Sequence, residues 1–390
     1  MFRNTFTSYD NQILADSSID YYLSIQRSGT DLGIELLGYL WLMSDRQLRA
    51  NAKNIDRMSK NCIDLKNYPR EELLHSIPSL RMGFESSDLE ASTMGLESIE
   101  SGLFGAKCGK LEPDKLSKFY YDRFVALGGY CRFDTRATGL ILEPKKKLDV
   151  DGEPFVWQEN RIAGVQTRGS LEGTILAETV VLAAGAWSNL LLEPIGLDGH
   201  AKSKKRQIFR VSAGANKELS ELLRSGSFNG LGIVPFTILP RCAIYLKPVA
   251  AGEQFWIGCD DDIGRQFIDS PEFDPSCYTA EATFYEKEVY PVLTAYYPAF
   301  QQVSPSGMWA GLIAYNTIDF LPLVFEYENL IVVGGDSGSG IMKADALGRI
   351  VNSLYCCGTA SDAELYGGAH YRVSKLSIEK RQVEREEWVL

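Results

Sequence analysis

The sequence predicts an α/β protein of two interleaved domains, one built from strand–turn–helix units and the other from mostly antiparallel sheet. Three observations carry this. An apolar run at 330–333 (LIVV) ends in Gly334-Gly335, passes through Ser337, Gly338, Ser339 and Gly340, and enters a helically periodic stretch from Ile341 to Leu354. A second apolar run, at 179–184, ends the same way in Ala184, Gly185, Ala186 and Trp187 before a short helix. Between the two, residues 201–318 alternate strands with polar loops, as antiparallel sheets do.

Taken in order, Ser17-Ser18 can cap a helix that carries Ile19, Tyr22, Leu23 and Gln26 on one face and closes at Gly29. Residues 36–43 read as a strand with Gly38 as a bulge, and Asp45 opens a polar helix to about Lys60. Pro113 stands at a first-turn position of a helix that Gly128-Gly129 stops. Short strands follow at 130–133, 138–142, 161–167 and 173–177, then the run at 179–184. The antiparallel region offers strands at 207–211, 242–248, 254–259 and 308–316, with a helix near 278–297. The charged run at 379–387 reads as a solvated face, and the short basic cluster at 202–206 as a solvated loop.

Composition narrows the function. The chain has 390 residues, 45% hydrophobic and 23% charged, with a formal net charge of −11. That balance suits a globular protein and disfavours nucleic acid, whose phosphates need clustered cations. No apolar run reaches 18 residues and the N-terminus has no signal-peptide core, so a cytoplasmic protein without a membrane span is expected. The eight cysteines form no C-x-x-C pair, and with His75, His200 and His370 they match no metal spacing. They read as free thiols, and no metal is expected.

The 329–349 stretch reads as a buried strand, a tight glycine turn and a helix whose first turn is bare. A bare helix start presents unpaired amides, and glycines let a flat or anionic ligand approach them. Residues 338–343 are therefore a candidate ligand seat.

The motifs now point to a family. VVLAAGAWSN at 180–189 resembles the strand–turn of the FAD-dependent D-amino-acid oxidase, glycine oxidase and sarcosine oxidase family. Residues 329–349 resemble its closing element, WAGLIAYNTID at 309–319 is similar to its W-A-G strand, and GAKCGKLEPDKL at 105–116 resembles the segment before its long helix. The resemblance implies a FAD-binding Rossmann-like domain (1–35, 106–200, 319–390) interleaved with a substrate domain (36–105, 201–318). It implies oxidation of the C–N bond of an amino acid or secondary amine, with hydride passing to flavin N5. It places the flavin near Gly185, Ala186, Trp187, Gly335 and residues 337–342, with Ile341 and Met342 at the helix start and Lys343 adding positive charge. Ala137 matches a position that faces adenine. The candidate catalytic residues are Tyr315 and Lys343.

Two departures stand out. The family opens with a βαβ unit carrying G-x-G-x-x-G, which this sequence lacks, and Gly338-x-Gly340 cannot replace it because Lys343 stands at the third glycine position. An N-terminally truncated Rossmann fold is expected, with little or no FAD held by the chain as given. Relatives also carry Arg or Tyr at the position of Ile313, where Tyr315, two residues on, can supply a hydroxyl from the same strand face. No cysteine lies in 311–319, so the flavin is expected to be non-covalent. The alternative is a non-catalytic scaffold subunit of a flavoprotein complex; an electron-acceptor subunit or a homo-oligomer would also be compatible. A nicotinamide-dependent dehydrogenase fits worst, because the fingerprint fails.

Overall fold

The computed structural model describes residues 1–214, 216–260, 265–268 and 278–388. Its largest sheet has eight strands, in the order Gly307–Asn316, Ala201–Ser212, Gln254–Cys259, Ile244–Val249, Phe236–Ile238, Tyr39–Met43, Ser101–Gly105 and Leu65–Pro69. Every pairing is antiparallel except that of Tyr39–Met43 with Phe236–Ile238. A second sheet joins Leu323–Tyr327 to Leu330–Gly334 and, in parallel, to Val180–Leu182. A third is the antiparallel meander Thr135–Pro144, Asn160–Gly169 and Gly173–Leu176. The chain is thus α/β with a large, mostly antiparallel sheet.

Two helices pack together on the second sheet, and Asn11 of the first reaches the later site. The helix Tyr9–Arg27 packs on Ala344–Cys357, and Ile350 and Leu354 of the latter bury against Ile331 and Val324 of the second sheet. The first helix starts eight residues before the predicted Ser17. Ser8 caps it through Asn11 N–H, while Ser17 and Ser18 lie buried inside it. The polar run Tyr9-Asp10-Asn11 hides this start, because its burial comes from distant segments. Gly38 precedes its strand instead of bulging it. Its φ is +78°, and a Cβ there would lie 2.1 Å from the Phe104 ring.

Most of the charged run at 379–387 is solvated as expected, but the Arg381 side chain and Glu386 are buried and anchor it. Arg381 and Asp319, 2% and 0% exposed, form an ion pair at 2.6 Å, and Arg381 also donates to the carbonyls of Leu321, Pro322 and Leu376. Glu386 is buried and accepts from the Thr7 amide and hydroxyl, the Ser8 amide, Asn11 Nδ2 and the Trp388 amide. Trp388 packs edge-on to Trp41 at 5.5 Å. Buried charges persist only when paired or fully hydrogen-bonded, and here Asp319, 62 positions away, pairs Arg381 while Thr7, Ser8 and Asn11, more than 370 positions away, bond Glu386.

Among the described residues, one edge of the second sheet is open. Val180–Leu182 has a strand on one side only, and Val181 is half-exposed. The expected strand at 130–133 pairs with no described strand, and Tyr130 and Phe133 are exposed, as are Phe124 and Leu127 of the neighbouring helix end. Cys62, Cys108, Cys131, Cys356 and Cys357 are free thiols, while Cys277 lies outside the described residues. Among the described residues no helix is long and apolar enough to cross a membrane, and no His/Cys/Asp/Glu group could hold a metal.

Candidate active site

A cavity of about 400 Å³ separates the glycine turn from the face of the large sheet. Ser337, Gly338, Ser339, Ile341 and Met342 form one wall. Trp256, Trp309, Ile313, Tyr315 and Arg206 form the opposite one, and Arg3, Phe6 and Glu386 line its side. Strand alternation explains the sheet wall: Trp309, Gly311, Ile313 and Tyr315 stand at every second position and so share a face. Gly311 leaves open space in that row, since a Cβ there would touch nothing within 4 Å.

Backbone pairing closes the two walls together. Tyr315 bridges Asp336 across an isolated antiparallel pair. Ser337, in the left-handed region at φ 51°, donates its amide to the Ala314 carbonyl, and its Oγ accepts from the Asn316 amide at 3.1 Å. The turn is therefore fastened to the strand that carries Tyr315.

The helix start differs from the expected bare turn. The helix begins at Ala344, not Ile341. Its first-turn amides are taken: Asp345 N–H donates to Tyr22 Oη, and Ala346 N–H donates to Ser18 Oγ. The neighbouring helix caps it from the side, which sequence periodicity cannot reveal. Two amides just ahead of it, of Ile341 and Met342, have no acceptor among the described residues. They border the cavity and remain able to receive an electron-rich ring edge. Gly340 serves its own loop, because a Cβ there would lie 1.8 Å from Asp336 Oδ2.

Lys343 does not line the cavity. It is 0% exposed, lies 4.6 Å from the Phe6 ring centre, and donates Nζ to Asn11 Oδ1 at 2.6 Å and Ser339 Oγ at 2.5 Å. It braces two residues of the wall from behind. Burial, reinforced by Arg3 and opposed by Glu386 and Asp336, pushes its pKa down to about 7. Asp336 is shifted upward by its own burial.

Arg206 comes from the basic cluster that read as a solvated loop. Residues 202–206 instead form strand, paired from Lys202↔Tyr315 to Arg206↔Gly311. Lys205 meets Glu281 at 2.6 Å, Arg206 meets Asp260 at 2.7 Å, and Lys204 lies over the Phe267 ring at 4.7 Å. Partners in distant segments remove the need for solvent. Arg206 Nη2 donates to Tyr315 Oη at 2.8 Å, and Tyr315 Oη donates to Asp260 at 3.3 Å.

The second strand–turn lies apart. Leu182 and Val332 are paired, so Gly185 follows beside the 334–340 turn, yet residues 184–187 do not line the cavity. Gly185–Trp187 is a short 3-10 turn whose Ala186 carbonyl accepts from Ser203 Oγ, and Ala186 borders a separate hollow of about 370 Å³ with Asn189 and His200. Gly335 is buried against Asn316 and Leu323. Ala137 sits at an exposed register shift of the meander. Sequence reading missed Arg3, Arg206, Lys247, Asp260 and Trp256. Alternation on the predicted strands 242–248 and 254–259 could have signalled Lys247 and Trp256, whereas Arg206 and Asp260 lie one residue outside the predicted strands.

Comparison with known proteins follows this geometry. The family model described as FAD dependent oxidoreductase, DAO, matches residues 2–354. The chain belongs to that family. FAD-dependent oxidoreductase domain-containing protein 1 of Xenopus laevis is 25% identical over 253 residues, which are 63% of this chain and 48% of that protein. Its Bos taurus counterpart is 29% identical over 178 residues, 45% of this chain and 35% of that protein. The matches thus span about half the length of these relatives, or less. In fold, the chain is similar to L-proline dehydrogenase from P. horikoshii, with a TM-score of 0.68 and 21% identity over 92% of this chain and 82% of that one. It is also similar to glycine oxidase from Geobacillus kaustophilus, with a TM-score of 0.63 and 18% identity over 89% and 80%.

The site residues fit the ring half of the family's FAD. The Ile341 and Met342 amides and the space above Gly311 would hold the isoalloxazine between the turn and the tryptophan wall.

Proposed function

We propose that this chain forms the ring- and substrate-binding part of a flavin-dependent oxidoreductase that oxidises the C–N bond of an amino acid or amine. The observation that supports it most is the single cavity with Arg206 and Tyr315 on one wall and the Ile341 and Met342 amides on the other. Bound flavin supplies the acceptor for hydride leaving the amine-bearing carbon. The chain supplies the rest. Arg206, Tyr315 and Arg3 orient a substrate carboxylate, since charge-assisted hydrogen bonds are the strong ones. Arg3 donates to the carbonyls of Thr5 and Trp388, with the latter contact at 2.8 Å, and has no carboxylate within salt-bridge distance among the described residues. The same cations disfavour an ammonium, so the amine binds neutral, the form that can release hydride. Trp256 and Trp309, edge to face at 4.9 Å, exclude water from the reacting carbon.

The unpaired edge of strand Val180–Leu182, where Val181 is half-exposed, supports a further point. A βαβ unit carrying a G-x-G-x-x-G turn would seat along that edge, pair with it in parallel and hold the pyrophosphate. Without it the chain would hold FAD weakly. The two interleaved sets of segments, 36–105 with 201–318 and the remainder, serve as substrate and FAD domains in this reading.

The test is anaerobic titration of FAD-loaded protein, with the βαβ unit supplied, against a panel of amino acids and secondary amines. Bleaching of the oxidised flavin by a carboxylated amine supports the proposal. A flavin that stays oxidised with every amine overturns it in favour of a non-catalytic scaffold.

A further inference from the structure

Among the described residues, the cavity lining carries more positive side chains than carboxylates. Its lining includes three cationic side chains, Arg3, Arg206 and Lys247, and two carboxylates, Asp260 and Glu386. Asp260 is paired with Arg206 at 2.7 Å. Glu386 is filled by five hydrogen bonds from the Thr7 amide and hydroxyl and from Ser8, Asn11 and Trp388. Lys247 has no carboxylate within salt-bridge distance among the described residues. Its Nζ lies 4.1 Å from the centre of the Trp256 ring, directly across the ladder, where Lys247 pairs with Trp256.

The position of Lys247 separates it from the Arg206 end. Trp256 pairs with Arg210, and Arg206 stands four residues further along the same strand beside Gly311. Strands rise about 3.4 Å per residue and lie about 4.8 Å apart, so the two backbone positions are on the order of 15 Å apart across one cavity wall. Long side chains shorten that gap, but one carboxylate cannot meet both cations. The groups facing Lys247 offer no relief: the Met1 α-amino group and Lys110 are basic, Lys110 is itself paired with Glu35 at 2.9 Å, and Tyr39, Phe236 and Tyr245 of the same lining are aromatic. Burial, with Lys110 adding to it, pushes the Lys247 pKa down to about 8, so the side chain still carries charge at neutral pH. A partly buried cation without a counter-ion stabilises whatever anion is brought to it.

We infer that Lys247 binds a second anionic group of the substrate, so that the substrate class is an amino acid or secondary amine bearing a second carboxylate. This rests on the oxidoreductase reading for the reaction, but its binding arm does not. The Arg206–Tyr315 end takes the carboxylate next to the amine, and Lys247 takes the distal one. Neutral and cationic side chains are selected against, because they leave Lys247 desolvated and unpaired.

The test is calorimetric titration of the FAD-loaded protein, with succinate, glutarate, adipate and pimelate as non-oxidisable probes and hexanoate as the monocarboxylate control. At least one dicarboxylate should bind about tenfold or more tightly than hexanoate, the size of one charge-assisted contact. Lys247→Met should abolish that advantage without changing the hexanoate affinity, and Lys247→Arg should restore most of it. In steady state, Lys247→Met should raise KM for a dicarboxylic amino acid about tenfold with little change in kcat, the signature of a contact made equally in ground and transition states. Equal affinity for hexanoate and every dicarboxylate, or a dicarboxylate advantage that survives in Lys247→Met, overturns the inference. Inorganic phosphate binding at Lys247 in preference to the dicarboxylates also overturns it. If dicarboxylates bind through Lys247 while no amine bleaches the flavin, the reaction fails and the binding inference stands. If monocarboxylic amines bleach it as efficiently as dicarboxylic ones, the reaction stands and the inference fails.

Discussion

Tyr315 Oη accepts a 2.8 Å hydrogen bond from Arg206 Nη2, and the two side chains come from paired neighbouring strands on the same cavity wall. The contact fixes a planar donor array beside a hydroxyl, an arrangement suited to a carboxylate. Tyr315→Phe keeps the ring and removes the hydroxyl. Its kcat/KM for a carboxylated amine should fall about ten- to a hundredfold, matching the roughly 1.5–3 kcal/mol of a hydrogen bond to a charged group. Arg206→Lys should fall at least as far, because an ammonium cannot replace the fork. Steady-state kinetics of both variants check this.

Gly340 and Gly185 should respond differently to alanine. At Gly340 the added Cβ would sit 1.8 Å from Asp336 Oδ2, so the turn must shift and carry Ile341 and Met342 with it. Gly340→Ala should weaken FAD binding about tenfold or more, since the two amides would leave their positions. At Gly185 nothing lies within 4 Å of a Cβ, and the cost is that of φ +54° alone, about 1–2 kcal/mol of stability. Denaturant melts and FAD titrations of both variants separate the two effects.

Lys343 gives the fold a pH dependence of definite sign. Its folded pKa of about 7 lies below the ordinary 10.5. Between those values the unfolded chain binds more protons, so stability from this group rises with pH across that window. Asp336, Glu386 and Arg3 surround it, and Glu386 and Asp336 limit the depression. Lys343→Met should therefore be favoured over wild type most near pH 7, with the gap closing towards pH 10. Denaturation midpoints of both proteins over that range check it. A gap that widens with pH would contradict the assignment.

Arg381 anchors the tail on a nearly unexposed Asp319. Arg381→Met leaves that carboxylate buried and unpaired, at a cost of about 3–5 kcal/mol. Adding Asp319→Asn should recover part of the loss, as a double-variant cycle of melts would show.

Much of the fold was legible because its signals are local. The apolar run at 330–333, its glycines and the periodic helix after it needed no partner to be recognised, and residues 254–259 read as a strand between polar loops. What was not legible depends on chain segments far apart in sequence. Glu386 looks like one member of a solvated charge run until Thr7, Ser8 and Asn11 surround it. Arg206 looks the same until Asp260 and Tyr315 meet it. Ser18 looks like a helix cap and is one, but for Ala346 of another helix. The position of Tyr315 on the face of Ile313 was legible from strand alternation, and both line the cavity. Lys343 was not, because its neighbours Asn11 and Ser339 turn it behind the wall.

The central claim is that a flavin ring and a carboxylated amine meet between Ile341–Met342 and Arg206–Tyr315. A crystal structure of the protein with FAD, with the βαβ unit supplied, tests it most directly. The account predicts the ring in the cavity between the turn at 337–342 and the Trp256–Trp309 wall, with one edge on the Ile341 and Met342 amides. FAD bound with its ring elsewhere, and those amides turned to solvent, would contradict it.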